Sequence, residues 1–280
     1  MRTINTDDII KNIKEMCIEA NYKLASDVES RVRNAGESET SILGKQILNQ
    51  LSENLDIAAT DNIPICQDTG MAIIFVKLGQ EVQIKGEFLE DAINEGIRQG
   101  YAEGYLRKSV VGDPLIRTNT KDNTPGIIHY EIVPGDRLEL TVAPKGFGSE
   151  NMSRVYMLKP SDGVEGVKEA VLETVKLAGP NACPPIVVGV GIGGSFEKCT
   201  LLSKKAIARN MNQPSPLEHI RKLEEELLTE INRLGIGPGG LGGRMTALGV
   251  NIETYPTHIA GLPVAINICC HVNRHISRVL

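Results

Sequence analysis

Cys183-Pro-Pro-Ile-Val-Val-Gly-Val-Gly-Ile-Gly-Gly-Ser-Phe-Glu197 compresses a strand, a glycine-rich turn and a helix start into 15 residues. Ile186 to Val190 is a short apolar run rich in β-branched residues and reads as a buried strand. Gly191 to Gly194 frees the backbone, and Phe196 to Arg209 carries apolar residues at helical spacing. Gly189-x-Gly191-x-x-Gly194 matches the fingerprint that cradles dinucleotide phosphates. That fold places a second strand, ending in an acidic residue, about 20 residues further on. Pro214-Ser-Pro216 and another helix stand there instead. A nicotinamide or flavin fold is therefore disfavoured, and with it an NAD-dependent oxidoreductase. The loop reads better as one whose N–H groups and helix N-terminus attract an anion or an electron-rich cluster.

Working outward, Leu217 to Leu234 is a charged amphipathic helix that ends at Gly235. The glycine-rich Gly235 to Arg244 loop leads into strands at Thr246–Ile252 and Leu262–Cys269, with Tyr255-Pro-Thr-His258 between them. Upstream, Val164 to Ala178 is helical and capped by Gly179. Ile127–Val133 and Leu138–Lys145 alternate like paired strands joined by a Pro134-Gly-Asp136 hairpin turn. Tyr105 to Gly126 is a polar loop without a period, long enough to suggest function. Phe88 to Tyr101 is a helix and Ala72 to Leu78 a strand. At the N-terminus one helix is predicted over Asp7–Arg33, its start capped by the residues before it, and another over Glu39–Ala58; both are amphipathic, fit to cover a sheet or to self-associate. Helices and strands interleave with no repeat and no linker. The expectation is a mixed α/β fold, helices on mixed sheets, in one domain over 1–280 whose first 60 residues are helical.

Lys and Arg number 30 against 35 Asp and Glu, a net charge of −5, and there is no Trp. Neither nucleic acid nor an anionic membrane surface is the expected partner. No apolar run reaches the ~18 residues of a membrane span, and the N-terminus lacks the layout of a leader. The expectation is a cytoplasmic protein. Its six cysteines, 17, 66, 183, 199, 269 and 270, contain no C-x-x-C pair, which argues against a disulfide framework.

The chemistry-bearing stretch is Ile63-Pro-Ile-Cys-Gln-Asp-Thr-Gly70, where a thiol, an amide, a carboxylate and a hydroxyl stand in a row between a proline and a glycine. By itself it reads equally well as a turn with an inert buried thiol. Cys17 lies on a helical apolar stripe and is assigned to the core. Cys269, Cys270, His271 and His275 crowd together, but neighbours on a strand point to opposite faces and the spacing is not that of a zinc site. An iron–sulfur cluster fits Cys66, Cys183 and Cys270 better, since each lies at a strand end or turn among small or proline neighbours. Three thiolates would leave one iron of a four-iron cube open as a Lewis acid.

Several motifs, in one order from about residue 60 onward, resemble the iron–sulfur class I fumarase and tartrate dehydratase family. They are Pro64-Ile-Cys-Gln-Asp-Thr-Gly70, Lys145-Gly-Phe-Gly-Ser-Glu-Asn151, Cys183-Pro-Pro, Gly191-Ile-Gly-Gly194, Tyr255-Pro-Thr-His258, Pro263-Val-Ala265 and Cys270-x-x-x-Arg274. The resemblance implies a hydro-lyase with a [4Fe–4S] cluster on Cys66, Cys183 and Cys270. Cys269 is the rival third ligand, but Cys270 keeps the family's spacing of 12 residues from His258 and four from Arg274. It further implies substrate contacts at Gln67, Asp68, Arg107, Gly146 and Gly148, with Phe147 standing where the family commonly has glycine. His258 and Asp68 are the implied catalytic pair. Longer members carry a second domain that completes the site, so the expected partners are a separate β subunit and a C4 dicarboxylate, with α chains paired within a hetero-oligomer. The expected reaction is fumarate to L-malate; L(+)-tartrate dehydration and a non-catalytic cluster-bearing redox sensor are the alternatives.

Overall fold

A computed structural model describes residues 2–280. In chain order the elements are β1 (Arg2–Asn5), α1 (Thr6–Tyr22), α2 (Ser26–Ser38), α3 (Ile42–Asp61), β2 (Ile73–Gly79), β3 (Val82–Lys85) and α4 (Leu89–Glu103). Next come β4 (Ile127–Val133), β5 (Leu138–Val142), the single turn α5 (Phe147–Glu150), β6 (Arg154–Leu158), α6 (Gly163–Ala178) and β7 (Ile186–Gly193). Then follow α7 (Phe196–Ala208), α8 (Glu218–Arg233), β8 (Ala247–Tyr255), β9 (Leu262–Cys269) and β10 (Ile276–Val279). The class is the α/β one expected, with helices on mixed sheets. No helix among the described residues is long and apolar enough to cross a membrane.

Two compact units emerge, neither a continuous stretch of chain. One takes Met1–Ala25, Leu55–Phe147 and Arg274–Leu280; the other takes Ser26–Asn54 and Gly148–Asn273. Because the chain passes repeatedly between them, no composition shift marks a boundary in the sequence.

In the first unit a sheet of order β10-β5-β2-β4 packs its apolar face with α1 and α4 around Ile13, Ile74, Val76, Ile97 and Leu140. The two strands predicted as a hairpin both form but do not pair with each other. β2 lies between them, parallel to β4 and antiparallel to β5. Its Ile73-Ile-Phe-Val76 run is buried on both faces, and such a run belongs at the centre of a sheet. The Pro134-Gly-Asp136 turn instead wraps the end of β2. Glu81 N–H donates to Gly135 C=O at 2.9 Å, and a Cβ on Gly79 would lie 2.4 Å from that same oxygen. Helix α4 meets α1 through Gly96 and Gly100, where added Cβ atoms would lie 2.7 Å from Ile13 Cβ and 2.9 Å from Cys17 Cβ.

The single helix predicted over Asp7–Arg33 is two, α1 and α2. Asn21 Nδ2 donates to Cys17 C=O at 2.9 Å, and Lys23 turns extended after its N–H closes on Glu19 C=O. Leu24 and Val28 remain buried across the break, so the apolar period runs through it unmarked. The short strands β1, β3, β6 and β10 also escape the sequence reading. β1, read as a helix cap, pairs parallel with β3.

In the second unit the sheet order is β6-β9-β7-β8, with β7 parallel to β8 and antiparallel to β9. Helices α6 and α8 supply Val171, Val175, Leu227 and Ile231 to a core shared with Val188, Val190, Ile252 and Ile266. The glycines of the dinucleotide-like motif serve helix packing. A Cβ on Gly189 would sit 2.4 Å from Ser203 C=O, and one on Gly191 2.0 Å from Cys199 C=O, so α7 lies directly on the backbone of β7. Gly191→Ala is expected to cost about 1–3 kcal/mol, since the obstructing atoms are backbone and do not move aside. Urea unfolding measures it, and a loss of only a few tenths would refute this packing.

The outer edge of β8 is closed by side chains. Arg31 donates to Leu248 C=O at 2.9 Å, Asn232 bonds Ala247, and the buried Glu224 accepts the Ile252 N–H at 2.8 Å while pairing with Arg209. An edge so occupied offers no template for another strand. The glycine-rich 235–244 loop is anchored in a related way. Buried Glu39 accepts N–H bonds from Thr40, Ser41, Arg244 and Met245, at 2.7 to 3.0 Å. The anion held at this loop is the protein's own.

Candidate active site

The Ile63–Gly70 stretch follows α3 without regular structure, and its backbone is held by buried side chains of the first unit. Ile65 N–H donates to Asn21 C=O at 2.9 Å. Three successive carbonyls are then gripped. Arg274 Nη1 donates to Asp68 C=O at 2.9 Å, the Tyr101 hydroxyl lies 3.0 Å from both the Thr69 and Gly70 oxygens, and Asn123 Nδ2 reaches Gly70 C=O at 3.2 Å. Complete burial pushes the Tyr101 hydroxyl up, keeping it protonated and donating. Gly70 has φ of +76° and a Cβ there would lie 2.5 Å from the Lys145 carbonyl carbon, so only glycine fits.

This grip fixes the Asp68 carboxylate. Oδ1 accepts the Gly70 N–H at 3.1 Å and Oδ2 the Phe147 N–H at 2.9 Å. A Cβ on Gly146 would stand 3.0 Å from Oδ2, which explains the glycine there. Thr69 Oγ1 accepts the Arg107 N–H at 2.9 Å and so fastens the long polar loop to the octet. Arg107 itself is exposed, and its guanidinium has no ion pair among the described residues. The Cys66 thiol, half-buried, donates to Oε1 of the exposed Gln67 at 3.5 Å. Cys66, Gln67, Asp68, Arg107 and Gly146 are thus brought together by one unit.

The second unit carries Gly148, Cys183, His258 and Cys270. Cys183 ends a short 3-10 turn in the left-handed region, φ 54° and ψ 62°, with its side chain exposed and its carbonyl 3.2 Å from His271 Nδ1. Cys269 is the last residue of β9, paired with Val187, and is buried; Cys270 lies just beyond the strand and is half-buried. The 255–258 turn is pinned by the glycine loop that follows β7. Gly194 N–H donates to Pro256 C=O, the Thr257 hydroxyl donates to Gly194 C=O at 2.8 Å, and a Cβ on Gly193 would lie 2.0 Å from Tyr255 C=O. Backbone expected to attract an anion is spent on holding the turn that bears His258. His258 is exposed and its Nδ1 accepts the Ala260 N–H at 3.2 Å. Asp68 and His258 each accept backbone N–H bonds within their own unit. Gly148 has open space around its Cβ position, so nothing local demands glycine.

The six thiols divide cleanly. Cys17, Cys199 and Cys269 are at most 3% exposed, while Cys66, Cys183 and Cys270 reach solvent. Burial pushes the Cys17 thiol up to about 12 and raises that of Cys199. The thiolate is both metal ligand and nucleophile, and the three accessible cysteines are the ones whose sulfur can present it to a metal or reagent without unfolding. Iodoacetamide at pH 8 is expected to modify Cys66, Cys183 and Cys270 of the cluster-free chain rapidly and the other three only after unfolding, as peptide mass mapping would record. Among the described residues no three His, Cys, Asp or Glu side chains group as a single metal ion requires. That does not bear on a cube, where each cysteine meets a different iron.

Sequence reading missed the clamp. Tyr101 reads as one more apolar position on its helix, Asn21 interrupts an apolar stripe without comment, and Arg274 is only a spacing mark. Polar residues on apolar stripes, at Asn21 and Tyr101, were the available signal.

The family model described as Fumarate hydratase (Fumerase) matches residues 10–279. A putative L(+)-tartrate dehydratase subunit alpha from Methanocaldococcus jannaschii is 43% identical over 269 residues, 94% of this chain and 94% of that protein. The L(+)-tartrate dehydratase subunit alpha of Escherichia coli strain UTI89 is 35% identical over 271 residues, 95% of this chain and 88% of its own, and that of strain K12 is 34% identical over the same span.

Proposed function

The chain belongs to the fumarate hydratase (Fumerase) family of hydro-lyases, and from that premise we propose that it is the cluster-bearing α subunit of a two-subunit dehydratase acting on L(+)-tartrate. The observation that carries this reading is the near end-to-end likeness to proteins named tartrate dehydratase subunit alpha. It moves the balance away from fumarate, the substrate expected from the motifs. The two reactions differ by one hydroxyl on a C4 dicarboxylate, so the same constellation serves either.

In this reading Cys66, Cys183 and Cys270 hold a [4Fe–4S] cluster. When bound, it supplies a Lewis-acidic iron that polarises the departing hydroxyl. Arg107 takes one substrate carboxylate in charge-assisted bonds of about 1.5–3 kcal/mol each. Gln67 offers an amide to the hydroxyl side. Asp68, oriented by the Gly70 and Phe147 N–H groups, holds a proton position at its Oδ2 edge. His258 serves as its acid–base counterpart once substrate and partner are in place. The β subunit brings the remaining carboxylate ligands and the base for the carbon-bound proton, and α chains pair within the hetero-oligomer. A cytoplasmic setting keeps the six thiols reduced.

The test is steady-state kinetics of the anoxically reconstituted α/β pair on L(+)-tartrate, L-malate and fumarate. Tartrate is expected to exceed the other two in kcat/KM by about tenfold or more, the discrimination one hydrogen-bonded hydroxyl readily gives. Preference for malate or fumarate would restore the fumarase reading. Inertness toward all three, with the cluster loaded, would favour a non-catalytic sensing module.

A further inference from the structure

Arg274 has no ion pair with a carboxylate among the described residues, although it is only 3% exposed. Such burial of a guanidinium is costly unless its donors are engaged. Nη1 donates to Asn21 Oδ1 at 2.7 Å and to Asp68 C=O at 2.9 Å. Nη2 lies 3.4 Å from the Cβ position of Gly146, the same point that approaches Asp68 Oδ2 to 3.0 Å. Nε is buried without a partner. Asn21 is fully buried and tied by Nδ2 to the Cys17 carbonyl of α1, so the far end of this chain of bonds is a rigid helix.

We infer that Arg274 is the positioning residue for Asp68, transmitting the rigidity of α1 through Asn21 to the octet and setting where the carboxylate points. The three gripped carbonyls are not equivalent. Tyr101 and Asn123 hold Thr69 and Gly70, beyond the carboxylate; Arg274 alone holds the carbonyl of Asp68 itself. Gly146 keeps the space beside both groups clear, and a side chain there would push the carboxylate off its line to the Phe147 N–H. The inference rests on the functional reading above, in which Asp68 faces substrate.

Two variants test it, Arg274→Lys and Arg274→Met, each in the chain alone and in the α/β enzyme. Hydrogen exchange at the Gly70 and Phe147 amides, the two that Asp68 accepts, reports the carboxylate directly. In Arg274→Met both amides are expected to exchange about tenfold faster or more while the β2 amides keep their protection, the signature of local opening. In the enzyme, kcat per bound cluster is expected to fall about 100-fold with KM within about threefold, as a misplaced catalytic group causes. Lysine restores the charge but not the planar fork, so Arg274→Lys is expected to recover only part of kcat. Unchanged exchange at Gly70 and Phe147 would overturn the inference. So would uniform acceleration across the first unit, which marks a merely structural arginine, or kcat per cluster equal to wild type. A wild-type enzyme inert toward all three acids would instead remove the functional reading, and the exchange pattern would still decide whether Arg274 holds Asp68.

Discussion

Cys66→Ser, Cys183→Ser and Cys270→Ser are each expected to abolish cluster retention and hydro-lyase activity, whereas Cys269→Ser keeps both. A serine hydroxyl is a poor substitute for a thiolate toward iron, and a cube left with two protein ligands has two irons open to solvent. Position 269 differs because its side chain is buried. It closes β9 opposite Val187 and is 3% exposed, so a serine there only buries a hydroxyl, at about 1–3 kcal/mol. Anoxic reconstitution followed by iron and sulfide analysis of the four variants separates the cases. Cluster loss at 269 with retention at 270 would exchange the roles of the two residues.

Glu39→Ala is expected to cause the largest loss of stability of any single change outside the core, about 3–5 kcal/mol. Removing the carboxylate leaves four backbone N–H groups without their acceptor, two at the start of α3 and two in the glycine loop. Each orphaned buried donor costs about 1–3 kcal/mol, part of it regained from water. Burial alone would raise the Glu39 carboxyl, but the N–H bonds from Met245, Ser41, Arg244 and Thr40 outweigh it and hold the group below its usual value of 4.5. The sign follows. A depressed carboxylate stabilises the fold above its unfolded pKa and loses that contribution as pH falls through the folded value. Urea unfolding of wild type and Glu39→Gln at pH 7 and about pH 3 would show the gap narrowing in acid. A gap independent of pH would mean that the charge is not what holds the loop.

How much of this was legible in advance depends on the residue. The accessible cysteines were, because strand ends and proline or glycine neighbours imply exposed sulfur, and Cys66, Cys183 and Cys270 do reach solvent. Arg107 was legible as a cation in a polar loop, but not its fastening to Thr69, which joins positions 38 apart. The Gly189–Gly194 pattern is ambiguous by itself, since close backbone approach to a phosphate and close approach to a helix require the same glycines. The missing second strand disfavours the dinucleotide reading, and the helix contact is what the fold uses. Strand pairing misled. Alternation reveals that Ile127–Val133 and Leu138–Val142 are strands; it is silent on a third strand, far away in sequence, that separates them.

Local chemistry alone, then, determined the α/β class, most helices and strands, the buried place of Cys17 and the three cysteines whose sulfur reaches solvent. These follow from periodicity, turn residues and immediate neighbours, all short-range properties. Tertiary structure decided the order of strands, the anion that occupies the glycine loop and the clamp of Asn21, Tyr101, Asn123 and Arg274 that aims Asp68. Each of those depends on which distant donor finds a buried acceptor. That is settled by packing, where an unmet hydrogen bond costs more than any local preference supplies.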